Sequence, residues 1–423
     1  MAGDGISDES GRARLPARGR SWEELRAALE ELRAGDVDWR SGRAAVYVFH
    51  AGEDVLRVAR EAYALYQSEN ALGPAAFPSL RRMEQEVIEM GLGLLHAPEG
   101  AAGDITSGGT ESIFLAVKAC REQAAARGAA VAGAEIVVPR SAHPAFDKAA
   151  SVLGLRVVRV PVAPDLRADV EAMAAAISER TLMLVGSAPC FPYGVVDPIG
   201  ELSELALERG LWLHVDACVG GYFAPFARMN GVPVPPFDFE LPGVASISAD
   251  LHKYGYAAKG ASTLFHRTEQ QRAHQVFHFE DWPAGSMTTP TAAGTRPGGA
   301  VAAAWAVMNY LGVEGYREKA ARVIRAREAI EAGLADLGFR VHGRPLLGLL
   351  AYGDGPADAF AVWSRLHRRG WFTGLVTEPR GIHLMLSPVH ESVVDRYLAD
   401  LREAVAEVQR GEGPTAETRA RYA

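Results

Sequence analysis

The chain of 423 residues, 48% hydrophobic and 23% charged, carries enough apolar material for one or two packed globular domains. Its formal charge of −8 offers no basic face for nucleic acid, and no apolar run approaches the ~20 residues that a membrane-spanning helix needs. Three cysteines, Cys120, Cys190 and Cys218, are spaced neither as a zinc site nor as a disulfide framework, so no metal is expected and a reducing cytoplasm is the expected compartment.

Residues 1–20 are polar and rich in Gly and Arg, as expected of a mobile tail. Asp4, Asp8 and Glu9 argue against a transit peptide, and no signal-peptide core follows Met1. A helical segment over 21–100 comes next. Ser21 caps the amphipathic "SWEELRAALEELRAG", and further helices are expected around 53–67 and 78–95, separated by the loop "NALGPAAFPS".

From about 104 to 266 the pattern changes. The short apolar runs "AEIVVP", "RVVRVPV", "TLMLVGS", "LWLHVDA", "VASIS" and "STLFH" alternate with helical stretches at 109–126, 144–153, 167–178 and 198–209. This predicts an α/β fold with a mainly parallel sheet covered on both faces. Helices near 299–311 and 313–336 follow, then "FRVHG", "LLGLLAY", a helix at 357–370, "IHLMLS" and a helix at 390–410. The expected organisation is a large domain over 101–312 and a small C-terminal α+β domain over 313–423.

Ligands in such sheets bind beyond the strand carboxyl ends, and four candidates lie there. In "DITSGGTES", Ser107, Gly108, Gly109 and Thr110 place backbone N–H groups and hydroxyls at a helix start. That suits a phosphate, or else is a glycine-containing helix start capped by Thr110. His143 follows "AEIVVP", as a packed or capping group or as a ring facing a ligand. Asp216 ends "LWLHVD", where a buried carboxylate needs a partner, either structural or a protonated ring nitrogen. Lys253, in "SISADLHKYGYAAKGAS", stands in a stretch poor in counter-ions. Desolvation there should lower its pKa and make the amine nucleophilic, as a Schiff-base lysine requires. Phosphate cup, histidine, acid and lysine in this order, each at the end of a βα element, make a pyridoxal 5′-phosphate site.

The stretches "TSGGTES", "AHPAFDKAA", "GSAPCFPYGVVDPI", "HVDACVGGY", "SISADLHKYGYAAKGAS" and "DWPAGSMTTPTAAGTRPGG" together resemble the pyridoxal-phosphate enzymes of the aspartate-aminotransferase fold. Within them the resemblance is to the group II decarboxylase superfamily and its sphingosine-1-phosphate lyase branch. It implies that Lys253 joins the cofactor, that Asp216 pairs with the pyridine nitrogen and that His143 stacks on the ring. Gly109, Thr110 and His252 would contact the cofactor phosphate. Gly294 and Thr295, in "AAGTRPGG", would reach it from a second subunit, which makes a homodimer with a shared active site. Lys259 and Asn70 match residues that bind substrate. Where the branch carries a histidine this chain has Gly73, and where it carries a tyrosine this chain has Phe49, with Tyr47 close by. The expected activity is retro-aldol cleavage of an amino alcohol, possibly phosphorylated. The rivals are amino-acid decarboxylation, transamination with Arg380 as carboxylate partner, and a binding protein without catalysis.

Overall fold

The computed structural model describes residues 12, 13 and 15–412. Residues 1–11 and 14 of the expected mobile tail lie outside the described residues, as do 413–423. The chain divides into two compact units after Asp38. In the first, helix α1 (Trp22–Leu32) begins at Ser21, whose hydroxyl accepts the Glu24 N–H while the Glu24 carboxylate accepts the Ser21 N–H. This reciprocal box satisfies two of the orphan donors of the first turn. Trp22, Leu25, Leu29 and Leu32 remain exposed along α1.

The second unit opens with α2 (Glu53–Leu65) and α3 (Pro78–Leu94), then builds a seven-stranded sheet. In chain order it runs β1 (Ala102–Thr106), α4 (Gly109–Ala126), β2 (Glu135–Pro139), α5 (Ala145–Leu153), β3 (Arg156–Val160), α6 (Val170–Ala176) and β4 (Thr181–Ser187). It continues α7 (Ile199–Arg209), β5 (Trp212–Asp216), α8 (Ala224–Met229), β6 (Val244–Ala249) and β7 (Ser262–His266). The sheet order is β1-β7-β6-β5-β4-β2-β3, and every pairing is parallel except those of β7 with β6 and with β1. The α/β architecture with a mainly parallel sheet is thus as the apolar runs imply. Strands β2, β5, β6 and β7 are buried at every position, while the edge strand β3 is exposed or half-buried along most of its length. Burial on both faces is why the inner strands read as short, mainly apolar runs without a clean alternation.

A short hairpin of β8 (Phe277–Phe279) and β9 (Met287–Thr289), preceded by α9 (Glu269–Ala273), was not foreseen in the sequence. Helix α10 (Gly298–Asp336) is broken at Gly312, which sits at φ 54°. That left-handed region favours glycine, and the break falls where the sequence pattern separates two helices. An antiparallel sheet of order β10-β11-β13-β12 closes the fold, built from β10 (Arg340–Val341), β11 (Leu349–Gly353), β12 (Gly374–Thr377) and β13 (Arg380–Met385). Helices α11 (Ala359–Arg368) and α12 (Val394–Gln409) pack with it. Among the described residues no helix is long and apolar enough to cross a membrane.

Candidate active site

Strands β1, β2, β5 and β6 run the same way, so their carboxyl ends share one edge of the sheet. That edge holds a cavity of about 350 Å³. Every candidate from the chain's own large sheet lines it: Ser107, Gly108, Gly109 and Thr110 after β1, His143 after β2, Asp216 at the end of β5, and His252 and Lys253 after β6. Pro189 and Phe191, after β4, complete one wall.

The cup is built by leaving a helix start open. Gly108 is the N-cap of α4 and no side chain caps the helix, so Thr110 is not the cap that the alternative reading made it. Uncapped first-turn N–H groups at the positive end of a helix suit a phosphate. Gly109 permits close approach: a Cβ there would lie 2.7 Å from Cys218 Sγ and 2.9 Å from both Asp250 carboxylate oxygens. Gly109→Ala should therefore distort the cup and weaken cofactor binding at least about tenfold, the equivalent of ~1.4 kcal/mol, in an absorbance titration. Glu111 braces the cup from behind. Its carboxylate accepts the Ser107 N–H at 2.6 Å and, on its other oxygen, the Ala292 N–H at 2.9 Å.

Asp216 is buried, and its Oδ1 accepts the Cys218 N–H at 3.1 Å. His143 Nδ1 accepts the Ala145 N–H at 3.1 Å. Burial pulls the His143 pKa down by more than the neighbouring Asp216 raises it, so the ring is neutral at physiological pH.

Lys253 corrects the sequence reading. Its Nζ donates to Asp250 Oδ2 at 2.9 Å, so it has an acid beside it. Burial opposes the ammonium, but Asp250, with Asp216, outweighs burial and raises the Lys253 pKa rather than lowering it. Asp250 itself is opposed by burial, yet Lys253, His252 and Ser262 hold its carboxyl below the ordinary range. Sequence reasoning missed this residue. The signal was its place three residues before Lys253, which a tight turn converts into contact; the Lys253 N–H donates to the Asp250 carbonyl at 3.2 Å.

Lys259 lies apart from that cavity. Its Nζ donates to the carbonyls of Tyr47, at 3.0 Å, and His252, at 3.2 Å, and stands 5.5 Å from the centre of the Phe49 ring. Although its edge meets solvent, surrounding protein and the charge of Lys253 pull its pKa down to about 8. Lys259 and Phe49 line a second, mostly apolar cavity of about 550 Å³, which shares His252 with the first. Phe49 packs edge-on against Tyr254. Tyr47 instead lines a third cavity, of about 600 Å³, together with His143 and Phe191.

Asn70, Gly294 and Thr295 do not reach their own chain's cavity. Asn70 Nδ2 donates to Thr295 Oγ1 at 3.3 Å, and Asn70 Oδ1 accepts the N–H groups of Leu72 and Arg296. Arg296 is anchored by an ion pair to Glu84. At Gly73 an added Cβ would meet only the Ala76 methyl, at 3.8 Å. Arg380 is paired with Asp358 at 2.9 Å and stacked on Phe360, which removes the carboxylate partner that transamination would need.

The donor set fits pyridoxal 5′-phosphate. An uncapped helix start with Gly109 pressed close matches the phosphate, a buried carboxylate matches a pyridinium, and a primary amine completes the set. The comparisons agree. Residues 11–352 match the pyridoxal-dependent decarboxylase conserved domain. The chain is 40% identical over 409 residues to the sphingosine-1-phosphate lyase of Arabidopsis thaliana, covering 95% of this chain and 75% of that one. It is 36% identical to a probable L-tyrosine/L-aspartate decarboxylase of Methanothermobacter thermautotrophicus, over 81% of this chain and 93% of that one. Among solved structures, the sphingosine-1-phosphate lyase of Burkholderia pseudomallei superposes with a TM-score of 0.91 at 36% identity, over 97% of this chain and 96% of that one. The chain therefore belongs to the pyridoxal-dependent decarboxylase family, among its sphingosine-1-phosphate lyase-like members, and is a lyase dependent on pyridoxal 5′-phosphate.

Proposed function

We propose that this lyase breaks the carbon–carbon bond of a 2-amino alcohol, phosphorylated or not, and releases an aldehyde and an amine. The observation that carries the reading is the convergence of Lys253, Asp216, His143 and the cup on one cavity of about 350 Å³, in a chain similar over most of its length to sphingosine-1-phosphate lyases. Bound pyridoxal phosphate would supply an aldehyde that joins amines and a heterocycle that accepts the electron pair of the breaking bond.

The chain's residues do the rest. Ser107, Gly108, Gly109, Thr110 and His252 hold the phosphate. Asp216 keeps a proton on the ring nitrogen, and His143 packs against the ring face as a neutral group. Lys253 is the amine that substrate displaces. Asn70, Gly294 and Thr295, tied to one another away from their own cavity, serve the site of a second copy, so the enzyme works as a homodimer with shared sites. The exposed apolar face of α1, with Leu32 at 77% exposure, is surface that a second copy could cover. Three buried free thiols fit the reducing cytoplasm.

Lys259 is the group we assign to a phosphate on the substrate, with Phe49 and the apolar cavity beside it receiving a hydrocarbon chain. Lys259→Ala should raise KM for a phosphorylated sphingoid base about tenfold while changing kcat far less, as loss of uniform binding does. The ammonium is charged below its pKa of about 8 and loses its charge above it. KM in the wild type should therefore rise as pH climbs past about 8, and in Lys259→Ala it should not.

Decarboxylation is the second reading, favoured by the similarity to the archaeal decarboxylase. One experiment separates the two. Purified holoenzyme is incubated with sphingoid-base phosphates and, separately, with aromatic and acidic amino acids, and the products are followed by mass. A long-chain aldehyde supports aldol cleavage; CO2 from the amino acids alone overturns it.

A further inference from the structure

Two groups could hold a proton within reach of a bound amine, Lys253 and His143, and their surroundings rank them. The Ala145 N–H directs its hydrogen at His143 Nδ1 across 3.1 Å. A backbone amide cannot surrender that hydrogen, so Nδ1 remains an acceptor and the proton of the neutral ring sits on Nε2. A second proton, on Nδ1, would break this bond and set two hydrogens against each other, where burial already disfavours the charged ring. His143 is fixed as a neutral donor.

Lys253 is the opposite case. Its Nζ lies 2.9 Å from Asp250 Oδ2, and the carboxylate belongs to a residue only 3% exposed. Asp250 is fixed through its backbone and by the close approach of the start of α4. Its N–H donates to the Cys218 carbonyl at 3.2 Å, its own carbonyl accepts the Lys253 N–H, and the start of α4 presses Gly109 against both its oxygens. The other titratable groups facing the pair are His252 at 3.7 Å from Asp250, Asp216 and Cys218 from the end of β5, Tyr222, His143, and Lys259. Among the described residues, only Asp250 makes a direct ion pair with Lys253.

We propose that Asp250, through its ion pair, draws a proton onto Lys253 and steadies it there, so that Lys253, and not His143, carries the proton from the substrate's oxygen to its carbon. The route of the proton rests on the aldol-cleavage reading. Once a substrate amine has displaced it, Nζ is neutral. It takes the proton of the substrate hydroxyl; the O–H electron pair becomes the second bond of the departing carbonyl, and the pair of the broken carbon–carbon bond stays on the amine-bearing carbon. Asp250 stabilises the ammonium so formed. The same proton then leaves Nζ for that carbon, a C–H bond forms, and Nζ is neutral again. One proton moves from oxygen to carbon, and no co-reactant is needed. Asp250 is a positioning residue, acting only through Lys253.

The test needs no substrate, which separates it from the aldol reading. Apoprotein is labelled with trinitrobenzenesulfonate between about pH 6 and 11, and the extent at Lys253 is read by peptide mass mapping. In the wild type, labelling of Lys253 should have a midpoint above the ~10.4 of an ordinary lysine. Asp250→Asn should lower that midpoint by at least about one unit, which is tenfold faster labelling at pH 8, and Asp250→Glu should return it toward the wild type. A wild-type midpoint at or below that of an ordinary lysine overturns the proposal, even if the Asn variant does not fold. Equal midpoints in wild type and Asp250→Asn overturn it too. Expected labelling in a protein that cleaves no amino alcohol would uphold Asp250's hold on Lys253 and discard the aldol route.

Discussion

Lys253→Ala is expected to lower kcat for amine cleavage by at least about 10⁴-fold, the upper range for losing a positioned proton carrier, since the attachment point is lost as well. In the proposed mechanism Lys253 is both the amine that substrate must displace and the site's proton carrier. The substitution leaves Asp250 buried and without its closest counter-ion, at 2.9 Å in the wild type. An uncompensated buried carboxylate is costly, so it should also destabilise the fold by about 3 kcal/mol. Two measurements distinguish these effects: kcat at a temperature where the variant is folded, and the midpoint of urea unfolding. Lys253→Met, which keeps the stem, should show both losses. A variant that turned over amine at more than a hundredth of the wild-type rate would remove Lys253 from the centre of the mechanism.

Asp216→Asn is expected to reduce kcat by about 10²- to 10³-fold, or ~2.7–4 kcal/mol, the scale of losing one preorganised electrostatic contact to developing charge. The substitution isolates charge from structure. Asp216 makes its protein contact through Oδ1, which accepts the Cys218 N–H at 3.1 Å, and an Asn oxygen can accept the same bond. The end of β5 should therefore keep its conformation, and thermal stability should change little. The amide cannot hold a proton on the ring nitrogen as a carboxylate does, so the absorbance band of bound cofactor should shift while its occupancy persists. Loss of fold instead of loss of rate would mean that Asp216 is a structural carboxylate.

The fold was most legible where burial is most complete. Strands β5 and β6 lie in the middle of the sheet, buried on both faces, and their sequences "WLHVD" and "VASISA" are short and free of Lys, Arg and Glu, which makes them stand out. Strand β12, "GLVT", is an edge strand of the small sheet with one buried residue of four, and starts on a glycine; it carries neither an alternating nor a continuous apolar signal. The β8–β9 hairpin is largely exposed and was invisible for the same reason. The glycine pair between β1 and α4 fits a plain helix start as well as a phosphate cup, and it pointed to a site only in company with His143, Asp216 and Lys253. Asp250 was not legible, because the charge around Lys253 was judged from adjacent residues, whereas the turn brings together side chains three apart. The grouping of Asn70 with Thr295 joins residues more than two hundred positions apart. Resemblance suggested roles for each of them, and only the fold shows that they touch.

Reconstituting the purified chain with pyridoxal 5′-phosphate, reducing with borohydride and mapping the modified peptide tests the central assignment most directly. A single pyridoxyl group on Lys253 is the predicted result. Modification at Lys259, or a protein that stays colourless and unmodified, would contradict it.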